Sequence, residues 1–483
     1  MVARPSRPIG RRLNAGRRRL LASTITIVLL AVSTTGVAGG ARAPEPSAAR
    51  MPAPTAWVLA TPRVVRYVAV TGRDSNDGSA RRPWRTIQHA ADLTPAGGTI
   101  RVHAGTYRHF AITRSGLAVE SAPGERVVVS GGIYAILVRG VTSATIRGLV
   151  IRDARELWGS GVRIESSRNV LVERNVIRYN HSFGIKVKGA ADVTIRHNDI
   201  AKNDTGIELS GAVGGMIVID NDIHQNDRMV TSTRGGNAIV FTKTAGLITV
   251  VGNRIWGNRA KHLADDGYDG GAFEVYASSD LVITGNRLWD NNNAMETGTD
   301  GSAPCSRIQF TRNIVRGMGT VAGETAGMIL RCADDSTVAH NVFDGVDDYA
   351  FYLSTSGRFA GTIAGLRIAD NIVVRGRAFS LGSGVPEGLL IDYNLVFPGG
   401  SQATYADRVG YVEGRGNTSS VDEFRSWTGY EAHGLQADPL FMDQGAGDYR
   451  LQPTSPAVDA GLVVVGEPFS GPAPDMGAVE LIP

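Results

Sequence analysis

Only two cysteines, Cys305 and Cys332, occur in 483 residues, so neither a disulfide framework nor a cysteine-rich metal knuckle can hold this chain together. Aromatic residues make up only 7%. Beyond residue 43 no apolar run is long enough to span a bilayer, which excludes a stable membrane partner once the N-terminal segment is gone. A basic excess is missing too. The first 43 residues carry eight arginines and no acid, so their removal leaves 42 basic against 46 acidic residues, about −4. The formal charge of +4 therefore belongs to that segment, and nucleic-acid binding loses its electrostatic footprint.

The N-terminal segment has clustered arginines, then the apolar stretch LLASTITIVLLAVSTTGVAGG, then Ala41-Arg42-Ala43. This order predicts a signal peptide over 1–43, cleaved after Ala43, and a secreted or periplasmic protein. Arg17 and Arg18 with Leu20 and Leu21 loosely fit a twin-arginine signal, which leaves the export route open. Residues 44–62, rich in Pro and Ala, read as a disordered linker.

What is present in quantity is a repeat. Asn175, Asn198, Asn221, Asn253, Asn286, Asn313, Asn341, Asn371 and Asn394 each follow a short alternating apolar run and precede another apolar residue. An earlier copy has Gly148 in the asparagine place. The spacing varies from 23 to 33 residues, which a fixed-length helical repeat does not tolerate but a coil that bulges into loops does. Alternation at period two makes each run a strand with one buried face. Strands one whole turn apart must run parallel, so the fold class is all-β, a right-handed parallel β-helix of about ten coils. The asparagines belong at a bend between two sheets, tolerating unusual backbone angles and bonding to the amides above and below. They receive no catalytic role.

A solenoid end exposes strand edges and apolar core, so each end needs a lid. Residues 63–135 supply an N-terminal cap and first coil. The cap contains an amphipathic helix from about Thr86 to Leu93, with Ile87, Ala90, Ala91 and Leu93 facing inward. Repeats fill 136–400, and 401–483 form an irregular C-terminal cap. Cys305 and Cys332 fall at near-equivalent places on adjacent coils, within the separation a disulfide accepts. In an exported protein a bridge between them is expected.

A second strand in each coil stacks as GVRIE, GIKVK, GIELS, AIVFT, AFEVY, AMETG, GMILR, AFYLS and AFSLG. Its third and fifth residues should point to solvent. The third-place ladder runs Arg163, Lys186, Glu208, Val240, Glu274, Glu296, Ile329, Tyr352, Ser380, and the fifth includes Glu165, Lys188, Tyr276 and Arg331. Such a strip of charge and aromatic residues suits an extended anionic polysaccharide. Lys186, Lys188, Lys243, Tyr276 and Tyr352 are its candidate binding residues. Where the coils lengthen, the loop KHLADDGYDGG enters the strand FEVY. Asp265, Asp266 and Asp269 offer three hard oxygen ligands that suit calcium, with Glu274 following.

At this loop, Asp265-Asp266-Gly267-Tyr268-Asp269 resembles the DDGWD-like calcium motif of family-nine, pectate-lyase-type polysaccharide lyases. That family places a catalytic lysine one coil later, where Glu296 stands in Asn293-Ala294-Met295-Glu296-Thr297-Gly298, and no lysine follows Lys261. Strand register puts Glu274 level with the family's last calcium aspartate. The terminal segments, among them Asp438-Pro439-Leu440-Phe441, Asp448-Tyr449-Arg450-Leu451 and Asp475-Met476-Gly477-Ala478, resemble the caps of secreted polysaccharide-active β-helix proteins. The resemblance implies calcium-assisted β-elimination on a uronate-containing glycan. Glu274, Glu296 and Arg331 are the catalytic candidates. Two carboxylates on neighbouring rungs equally suit a glycoside hydrolase, and a non-catalytic binding solenoid has the same architecture. The chain is expected to act as a monomer.

Sequencing the exported protein from its N-terminus is expected to start at Pro44. A start at Met1, or retention of the apolar segment, overturns the cleavage site.

Overall fold

A strand that recurs once per turn can bury its apolar face only inside the coil, stacked on the same strand of neighbouring turns. The computed structural model describes residues 64–481, apart from 212–213, 229–235, 260–261, 264–266, 269, 319–326, 347, 387, 400–407 and 465–468. It is a right-handed parallel β-helix of about ten turns. Three long sheets of 13, 13 and 12 strands line it. The groove sheet contains Ser160–Glu165, Phe183–Lys188, Thr205–Ser210, Ile239–Thr242, Phe273–Tyr276, Met295–Gly298 and Met328–Leu330. The second sheet holds the run before each asparagine, such as Ser279–Thr284, and the third a short strand after it, such as Arg287–Trp289.

Inward residues of the groove sheet form one continuous rung ladder: Val162, Ile185, Ile207, Ile239, Phe273 and Met295 pair in register and are buried. Each such side chain contributes roughly 1.5–3 kcal/mol. Among the described residues no helix is long and apolar enough to cross a membrane.

The asparagines form the bend between the second and third sheets. Asn175 Nδ2 donates to Asn198 Oδ1 at 3.0 Å, and this link repeats through Asn221, Asn253, Asn286, Asn313, Asn341 and Asn371 to Asn394. Each Oδ1 also accepts the backbone N–H of the preceding ladder asparagine, as Asn198 Oδ1 does from Asn175 N at 3.0 Å. The unusual backbone angle lies one residue earlier than expected. Arg174, His197, Asp220, Arg312, His340, Asp370 and Tyr393 have φ between 52° and 58°, while Gly252 and Gly285 take the same place at 68° and 64°. The residue before the asparagine makes the left-handed corner, and the asparagine ties it down.

A second ladder was not anticipated. Asn180, Asn203, Asn226, Asn258 and Asn291 link in the same way at the bend leaving the third sheet. Each lies five residues after a member of the first ladder, a spacing plainly present in the sequence.

The N-terminal helix spans Ile87–Leu93, with Thr86 as its N-cap accepting from His89 N at 3.3 Å. Ile87, Ala90 and Ala91 are buried, but Leu93 is 54% exposed. At about 100° per residue it lies about 120° round from Ile87 and about 160° from Ala91. The C-terminal cap holds a regular element where none was expected, the helix Val421–Thr428. Ser420 caps it through Glu423 N, Glu423 reaches back to Ser419 N, and Phe424 plugs the core against Phe379. Further on, the Phe441–Asp443 and Asp448–Leu451 hairpin is pinned by buried Asp344, which accepts from Tyr449 Oη at 2.6 Å, Gln444 Nε2 at 3.0 Å and Arg375 Nε at 2.6 Å.

The expected disulfide is not formed: Cys305 and Cys332 are buried free thiols. The isolated pairing of Ser306 with Asp334 sets Cys305 level with Ala333 rather than Cys332. Cys332 Sγ instead accepts the Cys305 N–H at 2.8 Å, and Cys305 Sγ donates to Gly298 O at 3.1 Å. The hydrogen bond with Cys332 and burial push the Cys305 thiol up.

The first ladder ends on a carboxyl group. Glu431 is fully buried and accepts from Asn394 Nδ2 at 2.7 Å and Asn394 N at 3.2 Å. Burial pushes its carboxyl up to about 8 from 4.5. The folded state therefore binds a proton that the unfolded chain releases above pH 4.5. This stabilisation is full below that point and is lost as pH rises through about 8. The melting temperature should fall between pH 5 and 9, and Glu431→Gln should flatten that slope while lowering stability at pH 5, where Asn394 N loses its acceptor. An unchanged slope in the variant overturns the assignment.

Candidate functional site

The groove sheet fixes where outward side chains stand, because parallel rungs repeat at about 4.8 Å. Glu274 and Glu296 are direct cross-strand partners. Ile329 follows on the next rung, and Arg331 lies just past the end of its strand. Buried Thr297 holds that end: its hydroxyl accepts both Arg331 N at 3.1 Å and Cys332 N at 3.2 Å. The chain turn places the Arg331 guanidinium on Glu296 Oε1 as an ion pair. Both remain accessible, with side-chain exposures of 31% and 25%.

Glu274 accepts from Asn237 Nδ2 at 2.7 Å. Asn237 sits just before Ala238 and Ile239, one coil earlier, and is itself buried. Nothing in the repeat marks it in advance. Asn293, three residues before Glu296, is also buried, and its Oδ1 accepts no hydrogen bond among the described residues. It presses so close to Gly271 that a Cβ there would lie 2.1 Å from Oδ1. Gly271 lets the loop return to the strand beside that oxygen.

Asp265, Asp266 and Asp269 lie outside the described residues. Among the described residues no three His, Cys, Asp or Glu groups come together as a metal site.

The other candidates spread along the sheet. Lys186 pairs with Glu208 at 2.6 Å and lies over the Phe183 ring at 4.2 Å, three rungs from Glu274, while Lys188 is exposed on the same strand. Arg163 and Glu208 carry outward positions yet are only 7% and 6% exposed. They are outward but covered: Lys186 of the neighbouring rung pairs with Glu208, and Arg163 pairs with Glu165 on its own strand and lies over the Tyr134 ring. Burial would raise the Glu165 carboxyl, but hydrogen bonds from Arg163 and Arg139 overcome it and hold the group below the usual carboxylate range. Lys243 lies off the strip, past the end of its strand, and is bonded to Asp300 at 2.8 Å. Tyr276 packs edge-on against Phe359 at 6.0 Å, and Tyr352 is half-buried three rungs beyond. The structure therefore brings Glu274, Glu296 and Arg331 together and leaves Lys186, Lys188, Lys243 and Tyr352 outside that cluster.

Chemically the cluster offers two carboxylates on neighbouring rungs, one fixed guanidinium and buried amide groups. A guanidinium partner stabilises a carboxylate in its ionised form, so the arrangement disfavours proton donation from Glu296 and presents a cation that can bind an anion.

Known proteins share this fold. The Bacillus subtilis (strain 168) protein YwoF is 25% identical over 450 residues, 81% of this chain and 91% of YwoF. The pectate lyase PEL9 of Emericella nidulans is 28% identical over 238 residues, 44% of this chain and 52% of that enzyme. The solved structure of XylC with xylose superposes with a TM-score of 0.52 at 13% identity over 72% of this chain and 86% of XylC, a likeness of fold alone. Residues 66–348 match the model described as the Pel9A-like, right-handed β-helix region, and on that match, covering more than half of its length, the chain belongs to the Pel9A-like β-helix family.

Proposed function

We propose that this protein is exported and cleaves an anionic, uronate-containing polysaccharide by β-elimination. The observation that carries this reading is the Arg331–Glu296 ion pair beside Glu274 at the centre of the groove sheet. Elimination needs the uronate carboxylate neutralised and a base within reach of the proton on the carbon next to it. An arginine guanidinium stays charged at any working pH, so Arg331 serves as a donor to that carboxylate rather than as the base. Glu296, accessible beside Arg331, takes the proton. The C–H electrons form the new C=C bond, the neighbouring C–O bond breaks, and the leaving glycan oxygen takes a proton from solvent. Glu274, held by Asn237, fixes the rung on which the sugar lies.

The donors around the loop suit calcium. The buried Asn293 Oδ1 without a hydrogen-bond donor is a hard oxygen of the kind this ion takes. Asp265, Asp266 and Asp269, with Glu274 and Asn293, would hold it, and the ion would supply further neutralisation of the substrate carboxylate. Family membership and the likeness to PEL9 support the same class of chemistry. A hydrolase needs one carboxyl of its pair protonated, and pairing with Arg331 opposes that at Glu296.

The mature chain, mixed separately with polygalacturonate, alginate and glycosaminoglycans, should raise ultraviolet absorbance from an unsaturated uronate on at least one of them. Reducing ends without that absorbance overturn elimination in favour of hydrolysis. Glu296→Gln should lower kcat by about 10²–10⁴-fold with little change in KM, and full activity in this variant removes Glu296 as the base. Asp266→Ala should abolish any calcium-dependent rise in melting temperature while leaving the β-sheet circular-dichroism signal intact. A variant that keeps the calcium shift overturns the loop as the metal site.

A further inference from the structure

The turn joining Leu149–Arg152 to Ser160–Glu165 carries a residue the catalytic reading does not use. Trp158 is 45% exposed beside Leu157 at 53%, and Ile133, whose carbonyl accepts from Ser160 N, adds a further 44% exposed side chain. Single exposed apolar residues need no explanation, but three on one rim form a patch. The Trp158 backbone is held at φ 68°, an outlier for a bulky residue, with its N–H on Ser182 Oγ at 3.0 Å.

The patch faces cations. The Trp158 and Phe183 rings are 6.3 Å apart and inclined by only 22°, with Lys186 Nζ 5.8 Å from the first and 4.2 Å from the second. Lys188 is exposed on the same strand, and Arg139 and Arg163 share the carboxylate of Glu165. With Arg155 and Glu156 of the turn itself and Asp204 on the rung after Ser182, five cations stand against four carboxylates at this end of the groove, a net charge of one positive. An indole face beside ammonium groups matches one ligand chemistry: a sugar ring with an apolar C–H face and a carboxylate on its edge.

We infer that Trp158, with Lys186 and Lys188, forms a distal subsite that binds a uronate residue of the same chain whose cleavage is proposed at Glu296. This inference rests on that reading and extends it. Lys186 and Glu274 are three rungs apart, about 14 Å at 4.8 Å per rung, and Glu296 is one rung further. Only an oligomer of several sugars reaches both, so the subsite sets a length preference without touching the reacting bond.

Affinity electrophoresis in gels containing polygalacturonate, alginate, chondroitin sulfate or neutral xylan tests this, together with competition by galacturonate oligomers of graded length. Trp158→Ala should weaken retention by the polymer that holds the wild type by about tenfold. Trp158→Phe should recover part of the loss, and competition by a disaccharide should be unaffected. Unchanged melting temperatures and circular-dichroism spectra show that the variants fold. Retention of Trp158→Ala equal to wild type overturns the subsite and leaves the catalytic reading standing. Equal weakening on xylan overturns its anionic specificity. A wild type retained by none of the anionic polymers overturns the catalytic reading, and the subsite with it.

Discussion

The amide ladder at the bend between the second and third sheets is the constraint on which everything else depends. A buried amide without a partner costs about 1–3 kcal/mol, so each ladder asparagine requires another one coil away. That requirement fixes where every coil turns its corner, whatever the length of chain between. Intervals of 32 and 33 residues sit in the same ladder as intervals of 23, because the extra residues leave the coil as loops and return before the next corner. The parallel register of all three sheets follows from this.

Such a scaffold separates rigidity from variation. The groove sheet presents outward residues at fixed spacing, and the turns and loops that lead into its strands bring other groups to them. The second ladder ends at Asn291, and Asn292 and Asn293 follow directly before the strand that carries Glu296. The last corner tied by the second ladder is thus the one that leads into the candidate site. Arg331 reaches Glu296 for a similar reason: its strand is only three residues long, and Thr297 catches the chain as it leaves.

The strands and their stacking order were legible because period-two alternation and a recurring asparagine report burial and corners directly, and both are local signals. The pairing of Glu274 with Glu296 could be read from the same register. The left-handed residue was assigned one place too late, since the sequence marks the side chain that ties the corner and leaves unmarked the varied residues, Arg174, His197 and Tyr393 among them, that turn it. The second ladder carries an equally regular signal, five residues after the first. Ser420 and Glu423 likewise announced the C-terminal helix through their capping spacing. By contrast, the Asn237 bond to Glu274, the Arg331 pairing and the one-residue offset between Cys305 and Cys332 arise from how chain ends leave their strands. No pattern along the sequence encodes that.

The direction of the amide ladder has an evolutionary consequence. Every asparagine donates toward the C-terminal side and accepts from the other, so the series has a head and a tail, and Glu431 occupies the tail as a group that only needs to accept. A coil duplicated anywhere inside brings one donor and one acceptor and leaves the chain of bonds intact. A coil appended beyond Glu431 would meet a carboxyl already engaged on its only ladder partner, with no amide to offer onward. Lineages built on this plan can therefore lengthen their groove by internal duplication while the C-terminal closure descends unchanged.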